Sequence, residues 1–276
     1  MLNYVTPKWV LSHNFKYNDL NSLDKNITER IKDGLQKFRV EDPEVSIVIP
    51  AYNEEKSILH TLSSLSSITP SYKTELIVVN NKSTDQTQNI LDQLGVKSFF
   101  EPKQGISYTR QTGLEMAKGK YILNADSDSI YPAGWVDAYV NALKDESVSC
   151  AYGTYSFIPE YNSRFVLANY ELVSEFIIKR RRHNKEFLNV LGFNFAFRKE
   201  DGLKVGGYNI NRLVWEDGWM AMLLMNEGKL KQVSGAEARV WTSDRRLMYD
   251  GGILKASVKR FKKEILRYLP KKKAAV

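Results

Sequence analysis

The sequence predicts an α/β fold: a mostly parallel sheet flanked by helices, with a helical extension before it and a basic helix after it. Three observations carry this. From Val45 onward, short apolar runs rich in Val and Ile alternate with segments whose apolar residues recur every three or four positions. The runs are continuous rather than alternating, as in strands covered on both faces by helices. Polar clusters follow the first, second and fourth runs, at the carboxyl edge where such sheets bind ligands.

The elements follow in order. Residues 1–17 are aromatic and irregular. Residues 22–38 place Leu23, Ile27, Ile31, Leu35 and Phe38 at helical spacing, with Ser22 as a candidate cap. "VSIVIP" (45–50) reads as a buried strand, and Ile58, Leu62 and Leu65 begin a helix. "ELIVVN" (75–80) is a second strand, followed by a helix over 85–94. "VKSFF" (96–100) is a third, followed by a helix over 106–118, and "KYILNA" (120–125) is a fourth. Beyond Pro132 the pattern loosens. "SVSCAYGTYSF" (147–157) reads as one strand, 163–183 as a helix, and "NVLGFNFAFRKE" (189–200) as a strand with a turn. A helix follows over 217–227, and "KLKQVSGAEARVW" (229–241) reads as a returning strand. The domain organisation expected is an extension over 1–44 packed on the main domain, that main α/β domain over 45–250, and a basic amphipathic tail over 251–276.

With 276 residues and 43% hydrophobic content, the chain can bury one large core. The opening residues lack a charged and apolar leader, and no run approaches a membrane span. The single cysteine, Cys150, cannot form an internal disulfide, so a reducing, cytoplasmic setting is expected. Residues 254–276 carry nine Lys or Arg against one Glu, which equals the whole net charge of +8. The body is therefore neutral and makes a poor nucleic-acid footprint. In the tail, Val258, Phe261, Ile265, Tyr268 and Leu269 recur at helical spacing among lysines and arginines. A basic amphipathic helix of this kind suits an anionic membrane surface, giving a peripheral position on its inner face; packing on the domain is the alternative.

The stretch "LNADSDSIYP" (123–132) ends a buried strand with Asp126 and Asp128. Carboxylates this close repel each other unless a cation lies near, and hard ions such as Mg²⁺ or Mn²⁺ use one or two carboxylates plus substrate phosphates. Alone, Asp-Ser-Asp also makes a solvated turn.

It does not stand alone. "VSIVIPAYNEE", "ELIVVNNKSTDQT", "GISYTRQTGLEMAKGKYILNADSD", "GFNFAFRKEDGLKVGGY" and "WEDGW" occur in that order over residues 45–245. Together they make the chain resemble the inverting nucleotide-sugar glycosyltransferases of family 2, which have the GT-A fold, a Rossmann-like mixed sheet. The resemblance implies roles. Asp128 would hold Mn²⁺ or Mg²⁺, and Asp126 would assist the ion or hold the ribose. Pro50, Ala51, Tyr52 and Glu54 would line the nucleoside pocket, and Arg110 and Ser127 would face the donor. Asp217 would be the general base, with Glu216 as the fallback. The donor would be a nucleoside-diphosphate sugar, and the acceptor a glycan or a lipid-linked molecule.

Two departures matter. Asn80-Asn81 stands where the family usually has an Asp pair, so Asn81 could accept from a base only without charge assistance. No histidine follows His183, so Asp244 or, better by charge, Arg245 and Arg246 would approach the diphosphate. The sequence lacks a Q-x-x-R-W motif and spanning helices, which points to addition of one sugar or a short series. Two other functions stay open: a nucleotidyltransferase, although "PAYNEE" has no glycine, and a catalytically silent nucleotide-sugar binding module.

Overall fold

The computed structural model describes residues 4–17, 19, 22–183, 185–211, 215–249 and 255. The helices are α1 (Lys8–Leu11), α2 (Lys25–Leu35), α3 (Ile58–Ser67), α4 (Thr87–Leu94), α5 (Ile106–Met116), α6 (Trp135–Leu143), α7 (Arg164–Arg181), α8 (Lys199–Lys204), α9 (Glu216–Leu224) and α10 (Arg245–Tyr249). The strands are β1 (Val45–Ala51), β2 (Thr74–Asn80), β3 (Ser98–Phe100), β4 (Tyr121–Asn124), β5 (Ser129–Ile130), β6 (Val148–Tyr152), β7 (Thr154–Ile158), β8 (Phe195–Arg198), β9 (Lys229–Gln232) and β10 (Arg239–Ser243).

Seven strands form one sheet in the order β3-β2-β1-β4-β8-β6-β9, and β5, β10 and β7 form a second. In the large sheet β8 alone runs opposite to its neighbours, antiparallel to both β4 and β6. The fold is therefore the mixed, mostly parallel α/β arrangement the sequence predicts. Both faces are apolar for the expected reason. Ile47 and Ile49 of β1 face α2, α3 and α6 in one core, while Val48 faces α5 and α9 in the other.

The first half follows the sequence pattern closely, and the second half departs from it. Gly153 splits "SVSCAYGTYSF" into β6 of the large sheet and β7 of the small one. A Cβ at Gly153 would lie 2.2 Å from the Tyr139 hydroxyl and 2.5 Å from the Ala238 carbonyl, so only glycine fits this crossover. "KLKQVSGAEARVW" is likewise two strands, β9 and β10, in different sheets. The "NVLGFNFAFRKE" run is a short strand, β8, that passes straight into α8. Near the start, the cap of α2 is Asp24, whose carboxylate accepts the Asn26 N–H, and not Ser22. Residues 8–11, read as irregular, form the single turn α1. The basic helix expected over 254–276 lies outside the described residues, apart from helical Lys255. Among the described residues no helix is long and apolar enough to cross a membrane.

Candidate active site

The site forms where β1, β2 and β4 end. β1 and β4 are parallel, so Ala51 and Asn124 deliver their following loops to one edge. The antiparallel β8 brings the residues before it to that same edge, with Phe195 paired to Asn124. This reversal places Gly192 beside Arg110, which pairs with Asp126, and strand patterning alone does not reveal it.

The first loop is pinned by the second. Asn53 has φ of 53°, and its carbonyl-type oxygen Oδ1 accepts the Thr84 N–H at 2.8 Å. Glu54 N–H donates to Thr87 Oγ1 at 2.9 Å, and Glu55 N–H to Asp85 Oδ2 at 3.0 Å. "AYNEE" and "STDQT" thus interlock, each supplying side-chain oxygens to the other's backbone. Pro50 and Ala51 are buried, whereas Tyr52 is exposed at the rim. Asn81 is engaged by the next loop. It donates to the Glu101 and Lys103 carbonyls at 3.1 and 2.7 Å and accepts the Gly105 N–H at 2.8 Å. An aspartate could not donate to those carbonyls, so the amide serves the 101–105 loop.

Arg110 is the hub of the site. It is 1% exposed. It donates to Asp126 Oδ1 at 2.7 Å, Asn124 Oδ1 at 3.2 Å and Glu216 Oε1 at 3.2 Å. Burial opposes its charge, but Asp126, Tyr208 and Glu216 more than offset this and hold it protonated. Tyr208 donates to the same Asn124 Oδ1 at 2.7 Å. Asp126 is fixed further by its own N–H, which donates to the Tyr131 hydroxyl at 2.8 Å.

The acidic pair of "WEDGW" divides. Glu216 is buried against Arg110, while Asp217 is partly buried and lines a cavity of about 410 Å³. Asp217 Oδ2 accepts the Gly192 N–H and Oδ1 accepts the Gly218 N–H, both at 2.7 Å. Burial and the neighbouring Glu216 push its pKa up to about 6, against those two N–H groups and Arg110. Gly192 is required here, because a Cβ would lie 2.6 Å from Arg110 Nη2. Trp215, which precedes the pair, holds φ of 65°, an uncommon backbone state for a bulky residue and one that concentrates at functional sites.

On the other side of the aspartates, Arg245 lies 3.3 Å from Glu54 and 3.4 Å from Asp128, and Arg246 lies 3.4 Å from Asp126. Asp244 does different work: it is fully buried and accepts the Tyr161 and Asn162 N–H groups. Burial, reinforced by Asp126, raises the Asp128 pKa in spite of Arg246 and Arg245. Burial and Asp128 raise that of Glu54.

Asp128 suits a divalent ion. Its side-chain hydrogen-bond partners are Ser129 Oγ at 3.4 Å and Arg245 Nη2 at 3.4 Å, whereas charge-assisted bonds usually run about 2.7–2.9 Å. A buried carboxylate held this loosely is under-satisfied. Among the described residues no group of three His, Cys, Asp or Glu could hold a metal. The remaining ligands would then be diphosphate oxygens and water.

Arg110, Asp126, Asp128, Glu216 and Asp217, all singled out in the sequence, converge here with Glu54, Arg245 and Arg246. The sequence reading missed Asn194. Its Oδ1 accepts from Trp135 Nε1 at 2.9 Å and Tyr139 Oη at 2.6 Å, and its Nδ2 donates to the Thr154 and Ala238 carbonyls at 2.7 and 3.0 Å. This one amide joins both sheets behind the site. Its only sequence signal is a polar residue in an apolar run, "GFNFAF". Asn124, a polar residue in "KYILNA", was missed for the same reason, and Tyr208 follows a glycine pair with no periodic pattern to mark it.

Comparison with known proteins bears on the family and the fold. A family model, Glycosyl transferase family 2, matches residues 46–202. A glucosyl-dolichyl phosphate glucuronosyltransferase of Haloferax volcanii is 26% identical over 179 residues, 60% of this chain and 56% of that protein. The Escherichia coli UDP-Glc:alpha-D-GlcNAc-diphosphoundecaprenol beta-1,3-glucosyltransferase WfaP is 30% identical over 116 residues, 40% of this chain and 45% of that protein. The chain thus spans about half the length of these relatives. Among solved structures, S. aureus TarS in complex with UDP superposes with a TM-score of 0.56 at 18% identity, over 72% of this chain and 60% of that one. A mannosyltransferase from Pyrobaculum calidifontis in complex with GDP-Man and Mn²⁺ gives 0.55 at 19% identity, over 85% and 70%. The fold is the GT-A fold of these enzymes, and, with the family's segment spanning more than half of its length, the chain belongs to glycosyl transferase family 2.

Proposed function

We propose that the protein transfers a sugar from a nucleoside-diphosphate sugar to an acceptor hydroxyl, with inversion at the anomeric carbon. The observation that carries this reading is the placement of Asp217, set on the cavity wall by two backbone N–H groups with a pKa near 6. A base poised there is ionised at neutral pH yet retains enough basicity to accept a proton. Asp217 takes the acceptor hydroxyl proton as that oxygen attacks C1. The bond from C1 to the diphosphate oxygen breaks, and the nucleoside diphosphate leaves. One displacement gives one inversion.

Glu216 neutralises Arg110 and is a weaker candidate for the base, since its carboxylate is already paired. Tyr52, Glu54, Asp126 and Ser127 border the donor, with Pro50 and Ala51 shaping the floor. Asn81 acts through the 101–105 loop. Arg245 and Arg246 face the diphosphate. Asp128, with Asp126 beside it, would hold Mn²⁺ or Mg²⁺. When bound, the ion supplies Lewis-acid neutralisation of the leaving diphosphate.

Apolar walls beside Asp217, including Phe157, Ile178, Val190 and Phe193, favour an acceptor with an apolar portion. The names of the Haloferax and E. coli relatives, with their dolichyl phosphate and diphosphoundecaprenol groups, support a lipid-linked acceptor. A cytoplasmic protein held at the membrane by its basic tail would meet such a molecule.

The test is product analysis with a panel of nucleotide sugars and lipid-linked acceptors. Release of nucleoside diphosphate with an inverted product is expected. Pyrophosphate release would mean a nucleotidyltransferase, and neither product would mean a binding module. Full activity in excess EDTA would remove the metal from the reading.

A further inference from the structure

α7 has two faces with opposite partners. Ser174, Ile177, Ile178 and Arg181 line the cavity that also contains Asp217. On the outer side, Phe165, Val166, Leu172, Val173 and Phe176 are all exposed, with Phe165 at 67% and Phe176 at 68%. Positions 165, 172 and 176, with Asn169 between them, follow the spacing of a single helical face. Tyr4 stacks on Phe165 with ring centroids 5.8 Å apart, and Tyr161 next to the helix is 58% exposed, so the apolar surface continues past the helix. Lone exposed apolar residues need no explanation, but a contiguous patch of this kind does.

Charge identifies the occupant. The last turn and cap of α7 carry Lys179, Arg180, Arg181 and Arg182. The two acids of the helix point elsewhere: Glu171 is buried on Arg164, and Glu175 pairs with Arg239. Exposed large apolar residues that run into a basic end, with both acids of the helix paired to arginines, match a bilayer with anionic headgroups. A second copy of the chain would place these like-charged ends against the same face.

We propose that the outer face of α7, with Tyr4 and Tyr161, docks on an anionic lipid bilayer. The cavity leading to Asp217 then lies about 10 Å away, one helix diameter inside the surface. This extends the peripheral-membrane reading given above from the tail to the described domain, and does not depend on the transfer chemistry.

The test is co-sedimentation of the full chain with phosphatidylcholine vesicles, with and without phosphatidylglycerol. Wild type should bind the anionic vesicles, and more weakly as salt rises. The full-chain variant F165S/F176S should lose on the order of tenfold or more in partitioning. A second full-chain variant, K259S/K262S/K263S, separates the tail from α7. Unchanged thermal unfolding of F165S/F176S confirms folding; if it misfolds, F176S alone is compared. Wild type failing to bind anionic vesicles at low salt would overturn the inference. So would α7 variants that bind as wild type does. A concentration-dependent dimer that F165S/F176S converts to a monomer, with vesicle binding unchanged, would assign the face to a second copy instead. None of these readouts involves sugar transfer, so the inference and the proposed activity can fail separately.

Discussion

The half of the chain from β1 to β4 and the half from β6 to β10 build one site in different ways. In the first half each loop follows its strand, and the site residues Glu54, Asp126 and Asp128 sit where parallel strands end. In the second half the chain crosses three times between the sheets, and the site is completed by residues before a reversed strand, β8, and by residues of α9 and α10. The first half supplies Glu54, Asp126 and Asp128, and the second half supplies Asp217 and the arginines of α10. Arg110 binds the two together, through Asp126 on one side and Glu216 on the other.

The most severe way to break this arrangement is to remove the link. Arg110→Ala leaves Asp126 and Glu216 buried without their closest cation, and should cost roughly 3–5 kcal/mol in urea unfolding. Arg110→Lys should recover only part of this, because a point charge cannot serve three acceptors in a plane. If both variants unfold at the wild-type midpoint, the two halves are not coupled through this residue.

Next in size is the contribution of the second half to the chemistry. Asp217→Asn should lower kcat by roughly 10²-fold or more and leave the thermal shift produced by the donor nucleotide unchanged. Glu216→Gln should cost less in kcat. The reverse ranking would move the base to Glu216.

A smaller effect separates the two kinds of packing. Asn194→Ala removes the side-chain acceptor of Trp135 Nε1 and Tyr139 Oη and the side-chain donor to two carbonyls, and should destabilise by roughly 2 kcal/mol or more. In the first half, Asn80 donates to Gln88 Oε1 and accepts the Ser83 N–H. Asn80→Ala should cost about 1 kcal/mol. Equal unfolding midpoints for the two variants would show that the sheet crossover is no more demanding than the parallel half.

The mildest test is pH. With Asp217 raised to about 6, acid protonates the base, so kcat/KM should fall about tenfold per unit below that value and level off above it. Glu216 is part of the cause of the raised value, so Glu216→Gln should move this limb toward acid. A limb that stays in place would remove Glu216 from the electrostatics of the base.

What the sequence determined by itself follows from local period. Continuous apolar runs with helical spacing between them determined β1, β2 and β4 and α3 to α5, because each of these strands is buried between two layers and each helix presents one apolar stripe. The two aspartates were legible as close carboxylates at a strand end, and the "WEDGW" acids through the resemblance to family 2. Only the tertiary structure decided the rest. Gly153 divides one apolar run between two sheets because Tyr139, Ala238 and Asn194 leave no room for a Cβ there, and these contacts lie far away in sequence. Asn194 and Asn124 look like isolated polar interruptions until their partners from other strands and helices surround them. The separate tasks of Glu216 and Asp217 are likewise invisible in two adjacent acids. Arg110 claims one and Gly192 the other, and both reach them across the sheet by long-range packing that no local pattern encodes.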